Sequence, residues 1–198
     1  MDKQAGERLD DYFDALRNEK RASPQTLTAY RRDLDQLASY CSEQQALQWR
    51  AADTLLARKW LAGLHQGGLS PSSIQRMLSS ARSFYRWLVR EGEVKANPFD
   101  GLKAPRKPRK LPDTLDIDTV LKLVSIEGDD DLTIRDRAIL ELFYSSGLRL
   151  SELTGLDIND IDVHAAQARV TGKGSRTRIV PVGRAACDAL RNWMTVRP

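Results

Sequence analysis

The sequence predicts a mainly α chain with a small β-sheet. An N-terminal four-helix bundle spans residues 1–100 and an α+β domain spans 113–198, with a joining segment at 101–112. Apolar residues return every three or four positions in four successive stretches before residue 95, the period of a helix face. Strand-like alternation is confined to QARVTGKGSRTRIVPVG, residues 167–183. Between the two halves, GLKAPRKPRKLP carries Pro105, Pro108 and Pro112, which block helix and hold the backbone extended.

In the first half, ERLDDYFDALRNEK puts Leu9, Phe13 and Leu16 on one stripe with Tyr12 beside it. The second helix opens at Ser23-Pro24, an N-cap followed by a residue that needs no N–H donor. Its apolar face is Leu27, Tyr30, Leu34, Leu37 and Cys41. The third, within DTLLARKWLAGLHQGG, stops at Gly67–Gly68. The fourth repeats the Ser-Pro device at Ser70-Pro71 and runs to Gly92. It turns Ile74, Met77, Leu78, Ala81, Phe84, Tyr85 and Leu88 inward and Arg76, Arg82, Arg86 and Arg90 outward.

After Pro112, DTLDIDTVLKLVS reads as a short capped helix. DLTIRDRAILELFYSS follows, with Ile134, Ala138, Ile139, Leu142 and Phe143 on one face, and Gly147 ends it as a C-terminal glycine does. LRLSELTGL gives one or two further turns before Gly155. Strands at 167–171 and 177–182 form a hairpin with GKGS at its tip, and RAACDALRNWMTV closes the sequence as an amphipathic helix.

At 198 residues, 41% hydrophobic and 29% charged, the chain suits a soluble, cored protein. No stretch approaches the roughly 20 apolar residues of a bilayer span, and MDKQAGERLD lacks the apolar core of a signal peptide. A cytoplasmic protein that does not engage a membrane is expected. Cys41, Cys187, His65 and His164 fit no metal-ligand spacing, so two reduced, buried thiols, no metal and no cofactor are expected. The net charge of +4 is unevenly spread. Residues 1–100 carry 15 basic against 13 acidic residues, 101–112 five basic and no acidic, and 113–198 11 against 14. The excess therefore resides in the twelve-residue joining segment, either a solvated hinge or a strap against a polyanion.

Two polar signals stand out in the second half. Arg149 follows the helix break, with Glu152 three residues on, the spacing of a same-face ion pair. Lys173 lies at a glycine-flanked hairpin tip. Taken alone, the first reads as a structural pair or as an arginine aimed at a ligand, and the second as an idle surface lysine or a mobile ammonium. The tip is not a phosphate-binding GxxxxGK[ST] loop: Gln167 stands where a glycine is needed, Gly174 follows the lysine, and a strand replaces the required helix.

In combination, TIRDRAILELFYSSGLRLSELTGLDI, TGKGSRTRIVPVG and KANPFDGLKAPRKPRKLP resemble the signature segments of the tyrosine recombinases, the phage-integrase family. The likeness runs from SPQTLTAYRRDL to the terminal helix. It implies a SAM-like N-terminal core-DNA-binding bundle at 1–100, a basic linker at 101–112 and part of the catalytic domain at 113–198, closed around double-stranded DNA. It further implies that a tyrosine attacks the scissile phosphate, leaving a 3′-phosphotyrosyl link and a free 5′-hydroxyl. Arginines stabilise the phosphorane-like transition state and the hairpin lysine acts as general acid. On the matching positions, Arg149 is the first of two arginines, Lys173 the general acid and Glu152 the orienting group. The implied DNA contacts are Arg31, Arg32, Arg76, Arg82 and Arg86 in the bundle, Lys103, Arg106, Lys107, Arg109 and Lys110 in the linker, and Arg176 and Arg178 in the hairpin. The implied partner is a related recombinase, assembled with it as a heterotetramer on a recombination site to resolve chromosome dimers.

The family pattern continues with an H-x-x-R segment, a His or Trp and the nucleophilic tyrosine, none of which this sequence contains. Its five tyrosines are Tyr12, Tyr30, Tyr40, Tyr85 and Tyr144. Four lie in the first half, and Tyr144 belongs to the buried helix motif. The chain as written is expected to hold DNA without cutting it. Two alternatives remain: a non-catalytic DNA-binding protein that keeps the clamp, and a protein-interaction module with a solvated hinge.

Overall fold

The computed structural model describes residues 3–105, 111, 114–172, 174 and 176–197. The chain forms two compact units, Met1–Lys110 and Leu111–Pro198. The first contains α1 (Lys3–Asn18), α2 (Pro24–Glu43), α3 (Thr54–Gln66) and α4 (Pro71–Arg90), with a 3-10 turn at Trp49–Ala51. Both Ser-Pro starts act as their chemistry requires: Ser23 Oγ accepts from Thr26 N at 3.3 Å, and Ser70 Oγ from Ser73 N at 3.2 Å. Each serine satisfies one of the donors that a helix start leaves without an internal partner.

The inward stripe of α4 lies at the centre of the bundle. Ile74, Met77, Leu78, Ala81, Phe84, Tyr85 and Leu88 are all buried. Phe84 meets Tyr12 edge-on at 5.2 Å and Trp49 at 4.8 Å between ring centroids, the offset geometry that aromatic quadrupoles favour. The polar ends of these rings find backbone partners: Trp49 Nε1 donates to Ala5 O, and Tyr85 Oη to Trp49 O. Trp49 and its turn were not foreseen, because a three-residue helix has too little sequence to show a period.

Phe99 is fully buried between Trp60 and Tyr85, and Leu102 and Ala104 also pack on the bundle. The start of the expected linker is therefore part of the bundle surface. Its remaining positions 106–110 and 112 lie outside the described residues.

The second unit contains α5 (Ile117–Val124), α6 (Asp131–Ser146), α7 (Leu150–Leu153), a 3-10 turn at Ile158–Asp160, β1 (Ile161–Asp162), β2 (Gln167–Thr171), β3 (Thr177–Pro181) and α8 (Arg184–Val196). The strands form one antiparallel sheet in the order β1-β2-β3, with Ala168 opposite Val180 and Val170 opposite Arg178. Ala168 and Val170 face a core built with Ala138 and Leu142 of α6 and Ala186, Cys187 and Leu190 of α8. Both cysteines are buried and unbridged. No described helix is long and apolar enough to cross a membrane.

Three details differ from the sequence reading. The two-residue β1 was not anticipated. Asp162 Oδ1 accepts from His164 N and Ala165 N, a side-chain-closed turn that leads β1 into β2. Within the α6 stripe, Ala138 and Leu142 are buried, whereas Ile134, Ile139 and Phe143 are half-buried. Ile139 borders an open apolar cleft of about 300 Å³ between α6 and α8, together with Leu142, Leu190 and Trp193. Tyr144, assigned to the buried motif, is instead 58% exposed on the outer side of α6.

Replacing Phe84 by alanine removes the ring on which Tyr12, Trp49 and Trp87 converge. The expected cost is about 3–5 kcal/mol of unfolding free energy. Urea unfolding followed by tryptophan fluorescence measures it, because Trp49, Trp60 and Trp87 all belong to the first unit. A loss below about 1 kcal/mol would contradict this placement of the core.

Candidate functional site

α6 ends because Gly147 adopts a left-handed conformation, φ 58°, while its N–H still donates to Phe143 O at 3.0 Å. That one reversal sends the next two residues in different directions. Leu148 turns into the core, whereas Arg149 is extended (φ −77°, ψ 152°) as the residue preceding α7, its side chain 71% exposed. The last two residues before the break fasten the helix end to β3 and the residue after Val182. Ser146 Oγ donates to Pro181 O at 2.9 Å, and Ser145 Oγ accepts from Gly183 N at 2.6 Å. Arg149 therefore leaves a rigid corner.

Glu152 is the reason for the short α7. Its carboxylate accepts from Arg149 N at 2.9 Å and from Arg149 Nη1 at 2.9 Å. It also accepts from Arg178 on β3, through Nη1 at 2.7 Å and Nη2 at 3.0 Å. The Glu152 side chain is 1% exposed, so its charge depends on these partners. The Arg178 fork, then the Arg149 backbone N–H and guanidinium, hold the Glu152 carboxyl down at about 2. One buried anion against two cations leaves the corner with a net positive charge, borne outward by Arg149. An exposed guanidinium with unused donors on a fixed base is suited to binding an oxyanion such as a phosphate.

Of the other expected site residues, Lys173 lies outside the described residues, as do Arg106, Lys107, Arg109 and Lys110. Arg176 is exposed at the hairpin, and Lys103 and Arg32 are exposed on the first unit. Several arginines expected to face a ligand are committed within the bundle. Arg76 Nη1 reaches both oxygens of buried Asp33 at 2.6 Å. Burial pushes the Asp33 carboxyl up, and Arg76 counters it. Arg82 donates through Nε to Phe99 O at 3.0 Å and through Nη2 to Leu102 O, fixing the segment after α4. Arg31 pairs with Asp10 at 2.7 Å and lies 4.1 Å over the Phe13 ring. Arg86 is largely exposed, 4.0 Å from Asp100. The bond from Arg178 to Glu152 was missed, although strand register carries a signal for it: Arg178 pairs with buried Val170, so both side chains share the core face.

Residues 9–92 match the family description "Phage integrase, N-terminal SAM-like domain", and residues 113–198 match "Phage integrase family". The chain belongs to the phage integrase family of tyrosine recombinases. Relatives include proteins named tyrosine recombinase XerC from Pseudomonas fluorescens, 48% identical, and Pseudomonas putida, 47% identical, each over 96% of this chain. The chain spans 64% of the length of these curated relatives. Two solved structures share the fold. The XerH site-specific recombinase bound to palindromic difH substrate aligns with a TM-score of 0.70 at 19% identity, covering 94% of this chain and 56% of that one. The Tn1549 transposon integrase in complex with transposon right end DNA aligns at 0.68 and 21% identity, covering 94% and 64%.

The geometry of Glu152 sets the pH dependence of stability. Its folded value, about 2, lies below the ordinary 4.5, so its stabilising contribution is complete above 4.5 and disappears as pH falls toward 2. The difference in unfolding free energy between the parent chain and Glu152→Gln should be flat above about pH 5 and shrink steadily below it. Denaturant unfolding at stepped pH measures this, and a difference independent of pH would contradict the assignment.

Proposed function

We propose that this chain acts in site-specific DNA recombination of the XerC kind, with residues 1–100 and 113–198 both engaging a double-stranded recombination site and the basic segment 101–112 contributing phosphate contacts. The observation that carries the reading is the Arg149 corner, where an exposed guanidinium is held rigidly by a buried carboxylate that has a second cation of its own. In the proposed reaction a tyrosine oxygen displaces the 5′-oxygen from the scissile phosphate, forming a 3′-phosphotyrosyl ester. Arg149 donates to the non-bridging oxygens as charge builds on them, and Lys173 protonates the departing 5′-oxygen. The partner is an XerD-like recombinase in a heterotetramer, the cellular role is chromosome dimer resolution, and the compartment is the cytoplasm. The names of the XerC relatives and of the DNA-bound structural neighbours support this reading.

Four of the five tyrosines are in the first unit and Tyr144 projects from α6, and in this reading none of them is the nucleophile. On its own the chain therefore binds DNA without cutting it.

Binding to a fluorescent duplex should weaken at least tenfold between about 50 and about 200 mM salt, as released counterions require. Arg149→Ala should change affinity by less than about threefold, because one phosphate contact among several is removed. No binding at the lower salt would overturn the reading.

A further inference from the structure

We propose that Arg178 is a positioning residue, not a DNA contact: its fork pins Glu152 against the β2-β3 hairpin, so that Arg149 and β3 are held as one unit. The proposal rests on the reading of Arg149 as a phosphate ligand, and it concerns how that arginine is aimed.

Four donors converge on the Glu152 carboxylate: Arg149 N, Arg149 Nη1, Arg178 Nη1 and Arg178 Nη2. A carboxylate offers about four lone-pair sites, so Glu152 is saturated. Arg149 supplies one of its five N–H donors to this pair and keeps the rest; Arg178 supplies two in parallel, the arrangement that fixes orientation as well as distance. The two arginines thus differ in role. Arg178, with a 42% exposed side chain, is spent on the anchor, while Arg149, at 71%, is presented outward.

The hairpin is built to admit this anchor. Its tip is closed by Gly172 N donating to Arg176 O at 2.8 Å, and Glu152 Oε1 presses against the Gly172 backbone. A Cβ at Gly172 would stand 2.9 Å from Glu152 Oε1 and 3.3 Å from Arg178 Nη1. The first glycine of the TGKG motif is required by that approach, not by an unusual backbone angle. Displacing the carboxylate from the hairpin side would release Arg149 on the other.

The test uses the chain isotopically labelled for NMR, observing the Arg149 guanidinium and the Glu152 carboxyl carbon. Arg178→Met should give Arg149 the narrow, averaged signal of a freely rotating guanidinium and move the Glu152 midpoint upward by about one pH unit or more. Arg178→Lys, which keeps the charge but cannot fork, should restore only part of both. Gly172→Ala should free Arg149 while leaving both charges in place, and serves if Arg178→Met fails to fold. Arg169→Met, on the opposite strand face and paired with Asp160, is the control and should alter neither signal. An unchanged Arg149 signal in Arg178→Met and in Gly172→Ala would overturn the proposal. Duplex affinity of the unmodified chain reports separately on the DNA reading, so the two can fail independently. In a double-mutant comparison, duplex affinity should fall no further in Arg149→Ala/Arg178→Met than in Arg149→Ala alone. A clear additional loss would make Arg178 a phosphate contact in its own right.

Discussion

The second unit is organised around one buried charge. Glu152 is almost wholly excluded from solvent, and a carboxylate in that position is tolerated only when cations and hydrogen-bond donors surround it. Meeting that demand requires donors from two places. One is the turn after α6, where the left-handed Gly147 delivers both the backbone N–H and the guanidinium of Arg149. The other is β3, where pairing opposite Val170 turns Arg178 toward the core. Remove the anion and the bonds that tie the start of α7 to β3 go with it. Ser145 and Ser146 then complete the corner by tying the α6 end to the residues that leave β3.

The first unit follows a different logic. Its stability comes from apolar burial along α4, and its arginines are used largely to finish that packing. Arg76 neutralises Asp33, which the interface of α2 and α4 has enclosed. Arg82 satisfies two carbonyls of the segment after α4 and so holds Phe99 in place. An arginine-rich helix face is therefore an unreliable guide to a nucleic-acid surface. What distinguishes Arg149 from these is its combination of a rigid base with an open guanidinium.

The parts of this arrangement legible in the sequence are those decided by neighbours in the chain. Ser23-Pro24 and Ser70-Pro71 announce helix starts, Gly147 a helix stop, and the alternation around GKGS a hairpin, because each depends on a few consecutive residues. The pairing of Arg149 with Glu152 also showed in their spacing. Contacts between distant segments did not show: Arg76 with Asp33 and Arg82 with Phe99 and Leu102 depend on how helices pack, not on local pattern. The two-residue β1 was too short to alternate, and Tyr144 was assigned to the wrong side because the apolar stripe of α6 is wider in sequence than the surface it buries. Arg178 lies between these cases. Its face follows from parity with Val170, but its partner follows only from α7 crossing that end of the sheet.

The central claim is a division of labour at the corner: Arg149 meets the phosphate and Arg178 holds the carboxylate. A crystal structure of this chain on a duplex recombination site tests it most directly. The account predicts Arg149 within about 3 Å of a backbone phosphate oxygen while Arg178 remains forked on Glu152. Arg178 on the phosphate, with Glu152 released or paired to Arg149 alone, would contradict it.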